Sequence, residues 1–318
     1  MIYCILYSKS FRRERVPVSF SSETQAELCA ARIDKRSLAV AECYGILLYC
    51  NTFRSGEIRI ITASPEFAER LPRLFRKAFS VSFDQLPPED AQGKRSFCFY
   101  DTAKIAQILE AFGAEPGGPL SHHINLSILE EPGCPEAFVK GAFLAGGSVT
   151  DPEKRFHLEL ATVHQSVSRE LRALLLEMDL DPKETVRNSH SLLYFKKADQ
   201  ISDFLARLGA SVAAIGILTA KVDREMRNTI TRQINCDSAN ADKTVSAAIR
   251  QNAAIRKLIK RDGLDALPEP LRDAALLRLA NPEASLADLA ILSDPPVTKS
   301  CLSHRLNKII LLAEKESL

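Results

Sequence analysis

The sequence has no CxxC motif, no long apolar run and almost no net charge, and each absence removes a class of protein. Its eight cysteines are scattered, so we expect neither a disulfide framework nor a zinc site. No stretch reaches the roughly 18 apolar residues of a membrane helix. The N-terminus, MIYCILYSKSFRRERV, places its basic residues after its apolar ones, the reverse of a secretory signal. We therefore predict a cytoplasmic protein without a membrane segment, a metal or a cofactor.

The charge balance restricts where a nucleic acid can bind. Lysines and arginines exceed the acidic residues by only two, so no global basic field attracts an anionic partner. Any nucleic-acid surface must therefore be local. A length of 318 residues allows two or three domains.

A pattern of helix, strand, helix, strand and helix occurs twice in the first two thirds of the chain. In each copy the lead helix is apolar and contains glycine, and these helices are predicted at Ser37–Phe53 and Pro135–Thr150. The glycines allow two backbones to approach closely. We expect a short strand in the first fifteen residues, a Gly/Pro-rich linker at Gly113–Leu120, and two similar subdomains at 1–115 and 116–215.

The remainder, 222–318, has no strand pattern and is predicted to be a helical domain. A polar segment near its start, Asn235 to Asn240, can either cap a helix or contact phosphates. The possible additional phosphate contacts are Arg232, Asn235, Asn240 and Lys243. The segment that joins this domain to the rest is itself helical in character.

Near the C-terminus the pattern predicts a helix-turn-helix at about 285–310. Ser285 can cap a first helix with Leu286, Leu289, Ala290 and Leu292 on one face. Asp294-Pro295-Pro296 ends that helix, because proline cannot donate a backbone hydrogen bond. A second helix begins at Thr298 or Lys299, with Leu302, Leu306, Ile309 and Ile310 facing inward.

The outer face of the second helix is polar and basic. It carries six residues that we predict to contact DNA: Lys299, Ser300, Ser303, His304, Arg305 and Lys308. Long cationic side chains reach phosphates and base edges in a groove, where an acid would be repelled. An ordinary helical hairpin with a basic surface remains the alternative.

Three segments together resemble the WhiA family of bacterial sporulation and cell-division regulators. They are FVKGAFLAGGSVTDPEKRFHLEL (Phe138–Leu160), RQINCDSANADKTVSAA (Arg232–Ala248) and LRLANPEASLADLAILSDPPVTKSCLSHRLNKI (Leu277–Ile309). The resemblance implies an α+β fold, in which a pseudo-twofold LAGLIDADG homing-endonuclease-like domain of two subdomains precedes an all-α helix-turn-helix domain.

The resemblance also raises the question of nuclease activity. In LAGLIDADG nucleases each lead helix ends in an acidic residue, and the two carboxylates hold divalent metals. The corresponding positions in this chain are Cys50 and Gly146. A thiol and a glycine do not supply the hard oxygen ligands that magnesium prefers, so we expect no catalytic residues and no enzyme activity.

We therefore expect a nucleoid-associated regulator that binds double-stranded DNA and takes part in cell division, chromosome segregation or sporulation. The alternative is a non-catalytic adaptor, in which the endonuclease-like domain binds a protein partner and DNA contact is secondary.

Overall fold

A computed structural model describes residues 19–88, 93–114 and 122–315. The predicted N-terminal strand and most of the predicted linker lie outside these residues. The chain divides into two compact units, and the boundary between them in the sequence falls between Arg224 and Glu225.

The first unit contains two successive groups of helices and strands. The first group is α1 (Phe20–Ala30), α2 (Arg36–Tyr49), β1 (Thr52–Arg54), β2 (Glu57–Thr62), α3 (Pro65–Phe79), β3 (Arg95–Phe99) and α4 (Thr102–Ala111). The second is α5 (Cys134–Gly146), β4 (Gly147–Val149), β5 (Leu158–Thr162), α6 (Gln165–Glu177), β6 (Lys183–Arg187), β7 (His190–Phe195) and α7 (Ala198–Arg207). The mixed α/β composition that we predicted is confirmed.

Each group folds its strands into an antiparallel sheet. The orders are β1-β2-β3 and β4-β5-β7-β6. Burial alternates along the second strand of each sheet, with Ile58 and Ile60 buried on β2 and Leu158 and Leu160 buried on β5. Because successive side chains of a strand point to opposite faces, one face of each sheet packs against the helices and the other meets solvent.

The lead helices α2 and α5 pack against each other through their backbones. A Cβ atom at Gly45 would lie 2.0 Å from the carbonyl oxygen of Phe138, and one at Gly141 would lie 2.0 Å from that of Glu42. Each glycine therefore meets the carbonyl three residues before the other glycine, as a two-fold axis between the helices requires. The prediction that the two glycine-containing lead helices pack against each other is confirmed.

A charged cluster is buried beside this helix pair. Glu42 on α2 accepts hydrogen bonds from Arg70 on α3 at 2.6 and 2.8 Å, and the Nζ atom of Lys140 on α5 lies 2.9 Å from the same carboxylate. The remaining donors of Arg70 bind the carbonyl oxygens of Cys29 and Ala31. The cluster combines one carboxylate with two cations and joins four elements.

Three short strands were not predicted. The lead helices end at Tyr49 and Gly146, and the residues assigned to their C-terminal ends instead form β1 and β4. β1 and β4 have three residues each, which is too few to show the alternating pattern of a strand directly after an apolar helix. β6 was missed because all its residues are exposed, so its sequence lacks a buried face.

The second unit is helical. It consists of the C-terminal part of α8 (Ser211–Arg261), α9 (Glu269–Ala280), α10 (Leu286–Leu292) and α11 (Lys299–Glu314). These helices share a core of their own, whose members include Ile255, Leu271, Leu289, Leu302 and Ile309. None of the helices in the described residues has the apolar length that a bilayer crossing requires.

Candidate nucleic-acid interface

The first helix of the predicted motif, α10, begins as the sequence indicates. The Ser285 hydroxyl accepts from the Asp288 backbone N–H, and the Asp288 carboxylate accepts from the Ser285 backbone N–H, which forms a capping box. Leu289 and Ala290 are buried. Leu292 was predicted to face inward but is 56% exposed, because at about 100° per residue it is rotated by roughly 110° from the midpoint of Leu289 and Ala290.

The turn between the two helices is tight and internally bonded. The backbone N–H of Val297 donates to the carbonyl oxygen of Ala290 at 3.1 Å. The Thr298 side chain accepts from the Cys301 backbone N–H at 3.2 Å and caps α11. These bonds fix the direction in which α11 leaves the turn.

The faces of α11 separate as predicted. Leu302, Leu306 and Ile309 are almost completely buried, while Ile310 is half-buried at the edge. On the outer side Lys299, Ser300, His304 and Lys308 are exposed, and Ser303 and Arg305 are half-buried. All six predicted contact residues therefore lie on one helix, four of them exposed and two at the edge of its buried side.

The cations of this face have no ion-pair partner among the described residues. Over residues 19–88, 93–114 and 122–315, no ion pair involves Lys299, Arg305 or Lys308. The only acid of α11 is Glu314, in its last turn. A surface of this kind offers its full charge to phosphate oxygens.

Two arginines outside the motif donate hydrogen bonds to backbone carbonyl oxygens at its ends. Arg278 on α9 is 1% exposed, and its Nη1 atom donates to the carbonyl oxygen of Ala284 at 2.6 Å, just before α10. Burial lowers the pKa of Arg278. Arg261, at the end of α8, donates to the carbonyl oxygens of Leu312 and Lys315 and neutralises the negative end of α11. Sequence reasoning identified neither, because the carbonyl oxygens that Arg278 and Arg261 bind are brought to them by the tertiary structure.

The four polar residues at the start of this domain all lie within α8. Arg232, Asn235, Asn240 and Lys243 are exposed. None occupies a helix end, so the alternative in which they cap a helix is wrong. The side chain of Asn240 contacts Cys236 one turn earlier, at 3.7 Å.

Cys50 and Gly146 lie at the ends of α2 and α5, where a LAGLIDADG nuclease carries its two carboxylates. The Cys50 Sγ atom lies 3.2 Å from the carbonyl oxygens of both Leu47 and Thr52, so its single proton has two acceptors within reach. Burial raises the pKa of this thiol to about 12. The free thiol therefore stays protonated at neutral pH.

The second position has no room for a carboxylate. A Cβ atom at Gly146 would lie 2.7 Å from the carbonyl oxygen of Ala161 and 2.8 Å from the Cδ1 atom of Tyr49. In the described part of the chain, no three His, Cys, Asp or Glu side chains come together as metal ligands.

One histidine cluster was not identified from the sequence. The rings of His122 and His164 stack with centroids 3.8 Å apart, and the His122 Nε2 atom lies 3.1 Å from the carbonyl oxygen of Phe53. Burial, assisted by His122, lowers the pKa of His164. These residues are far apart in sequence, so no local signal reveals the contact.

Comparisons with known proteins agree with this architecture. The sequence profile of the WhiA LAGLIDADG-like domain matches residues 135–227, and that of the WhiA C-terminal HTH domain matches residues 230–313. The probable cell division protein WhiA of Clostridium novyi is 32% identical over 311 residues, covering 94% of this chain and 98% of that protein. The Staphylococcus carnosus protein of the same name is also 32% identical, covering 94% and 97%.

A solved structure shows the same arrangement of elements. The crystal structure of full-length WhiA from Thermatoga maritima has a TM-score of 0.56 and 25% sequence identity, and covers 95% of this chain and 100% of that one. The two family profiles, the curated relatives and this structure agree with one another. The chain belongs to the WhiA family.

Proposed function

We propose that this protein binds double-stranded DNA through α11 and acts as a transcription regulator in cell division, with related roles in chromosome segregation or sporulation. The observation that carries the proposal is the face of α11, whose cations are exposed or half-buried and unpaired in the described chain. The N-terminal half of a recognition helix of this kind enters the major groove. Lys299 and Arg305 supply most of the affinity, with Ser300, Ser303, His304 and Lys308 beside them.

Further phosphate contacts come from α8. Arg232, Asn235, Asn240 and Lys243 are exposed donors within the same unit as α11. We assign them a secondary role, because two are uncharged and bind phosphates less strongly than a cation does. The protein acts at the nucleoid, where its target lies.

We further propose that the protein has no nuclease activity. The Cys50 thiol is held protonated, and the backbone and Tyr49 fill the space at Gly146. Two divalent ions that bridge a pair of carboxylates have no ligands at these positions. Magnesium-dependent cleavage of duplex DNA would contradict this part of the proposal.

The test is fluorescence-anisotropy binding of the full chain to genomic DNA fragments over a salt series. We expect sequence-dependent binding with a steep salt dependence, since each neutralised phosphate releases counterions. The Lys299→Ala and Arg305→Ala variants should each bind more weakly with a shallower salt slope. Lys77→Ala removes an exposed lysine from α3 and is the matched control. Unchanged affinity in both α11 variants would favour the adaptor function.

A further inference from the structure

The last third of α8 is rich in cations and contains no acid. Residues 243–261 include six lysines and arginines, and Asp242 and Asp262 stand at the two ends of this run. Of the six cations, the proposed DNA contacts use only Lys243. The run is a local excess of positive charge in a chain whose net charge is only +2.

Three of the cations share one side of the helix with two small residues. Lys243, Ser246, Arg250, Ala253 and Lys257 are all exposed, and at about 100° per residue they lie within about 80° of one another. We call these five residues the α8 basic face. Its cations are seven residues apart, which places a positive charge about every 10.5 Å along the helix axis.

The buried side of this part of α8 points in another direction. Ala248, Gln251, Ile255 and Leu258 are at most 4% exposed, and their centre is rotated by about 140° from the centre of the α8 basic face. The packing of α8 within the second unit therefore does not use the basic face.

Contacts within the chain do not account for these cations either. Over residues 19–88, 93–114 and 122–315, no ion pair involves Lys243, Arg250 or Lys257. Cations near a helix C-terminus interact favourably with the helix dipole, but this effect is confined to the last turn. That turn holds Lys260 and Arg261 instead. The charge of the basic face is thus free to attract an anionic partner.

We propose that the α8 basic face binds the phosphate backbone of the duplex that α11 contacts, without reading its sequence. This inference rests on the proposed DNA binding and extends it to a second surface of the same unit. The lysines and the arginine reach phosphate oxygens, and the Ser246 hydroxyl can donate to another. Ala253 adds no long side chain that would hold the backbone away.

Composition and position favour phosphates over an acidic protein. The centre of a protein–protein interface is usually apolar and rich in aromatic side chains, whereas the α8 basic face has no large apolar residue. The face also belongs to the unit that carries the proposed recognition helix, since Arg261 at the end of α8 donates to the carbonyl oxygens of Leu312 and Lys315. Phosphate contacts position a protein on DNA and leave base recognition to another element, here α11.

Fluorescence anisotropy of the full chain over a salt series tests the proposal, with the tightest-binding genomic fragment and a shuffled version of it as probes. Arg250→Ala/Lys257→Ala removes two cations of the face and keeps good helix-forming residues. We expect this variant to bind both duplexes more weakly by a similar factor. The slope of log K against log salt should become shallower by about two, one for each lost phosphate contact.

The matched control is Arg76→Ala/Lys77→Ala. It removes one arginine and one lysine from exposed positions on α3, and it should leave both the affinity and the salt slope unaltered. Thermal unfolding verifies that both double variants are folded.

The α11 variants separate this proposal from the proposed function. Lys299→Ala and Arg305→Ala should reduce the preference for the genomic fragment over its shuffled version, whereas Arg250→Ala/Lys257→Ala should preserve it. If the α11 variants weaken binding while the α8 variant keeps the wild-type affinity and slope, the proposal for α8 is overturned and the proposed function stands. A loss of affinity for the genomic fragment alone would also overturn it, because a phosphate contact does not distinguish sequences. Wild-type protein that binds neither duplex would contradict the proposed function and the role of α8 with it.

Discussion

The guanidinium of Arg70 donates to both carboxylate oxygens of Glu42, at 2.6 and 2.8 Å, and each of the two side chains is only 3% exposed. Removing one member of a buried ion pair leaves an uncompensated charge and costs about 3–5 kcal/mol. We expect Arg70→Met to lower the free energy of unfolding by about 3 kcal/mol, towards the lower limit of that range. Lys140 moderates the loss, since it remains 2.9 Å from the carboxylate. Urea denaturation measures the change.

The triple variant Arg70→Met/Glu42→Leu/Lys140→Met serves as the control for that experiment. It removes all three charges of the cluster, since Lys140 would otherwise be left without its carboxylate, and it should recover a large part of the stability lost in Arg70→Met. Equal losses in the single and triple variants would show that Arg70 stabilises the protein through its bonds to Cys29 and Ala31 instead.

The contact between α2 and α5 predicts a strong response to a single methyl group. In Gly45→Ala the new Cβ would lie 2.0 Å from the Phe138 carbonyl oxygen, so the helices must separate. Overpacking of this kind costs about 1–3 kcal/mol or more, and we expect a matching fall in the free energy of unfolding. Gly56→Ala is the control, because nothing lies within 4 Å of its Cβ position. Similar stability of the two variants would refute close backbone packing.

Arg278 is predicted to stabilise the helix-turn-helix. Arg278→Met removes the hydrogen bond to Ala284 and leaves a carbonyl oxygen without its donor, at a cost of about 1–3 kcal/mol. Arg272→Met changes a partly exposed arginine of the same helix, 3.8 Å from Asp265, and should cost about 1 kcal/mol at most. Thermal unfolding of both variants tests the difference. If Arg278→Met were the more stable of the two, the desolvation of the guanidinium would outweigh its bonds.

The stacked histidines predict a pH dependence of stability. Since the folded protein lowers the pKa of His164, its protonated form is less favourable in the folded than in the unfolded state. The free energy of unfolding should therefore fall as the pH drops below about 6.5, the value of an unperturbed histidine. His164→Gln should show a smaller fall between pH 7.5 and 5.5 in urea denaturation, where other titrating groups affect both proteins alike. Parallel pH profiles would contradict the assignment.

The sequence predicts the long amphipathic elements of this fold and misses the short ones. α3, α6 and α7 have apolar faces that repeat over several turns, and they occupy places that the repeated order of helices and strands assigns to helices. β1 and β4 each continue directly from an apolar lead helix, and β6 buries no residue. The existence of these strands depends on hydrogen bonds to partners elsewhere in the chain, which no local pattern records.

The candidate DNA surface could be predicted from the sequence because all six of its residues lie on one helix, α11. The buried and basic faces of α11 follow from a single period, and the caps at Ser285 and Thr298 are local. The role of Arg278 depends on the turn that α9 meets, and the stacking of His122 on His164 depends on the whole fold. The assignment of the six α11 residues to DNA contact stays a prediction.

The backbone contact at Gly45 and Gly141 is one of two places where the lead helices leave no space for a side chain. At their middle the helices touch through atoms that every residue possesses, provided that these two positions remain glycine. At the end of α5, Gly146 is confined as well, because its Cβ position lies 2.8 Å from the Cδ1 atom of Tyr49 on α2 and 2.7 Å from the carbonyl oxygen of Ala161. A pair of carboxylates at the helix ends would therefore need more than two substitutions, since Tyr49 and the backbone at Ala161 would have to move.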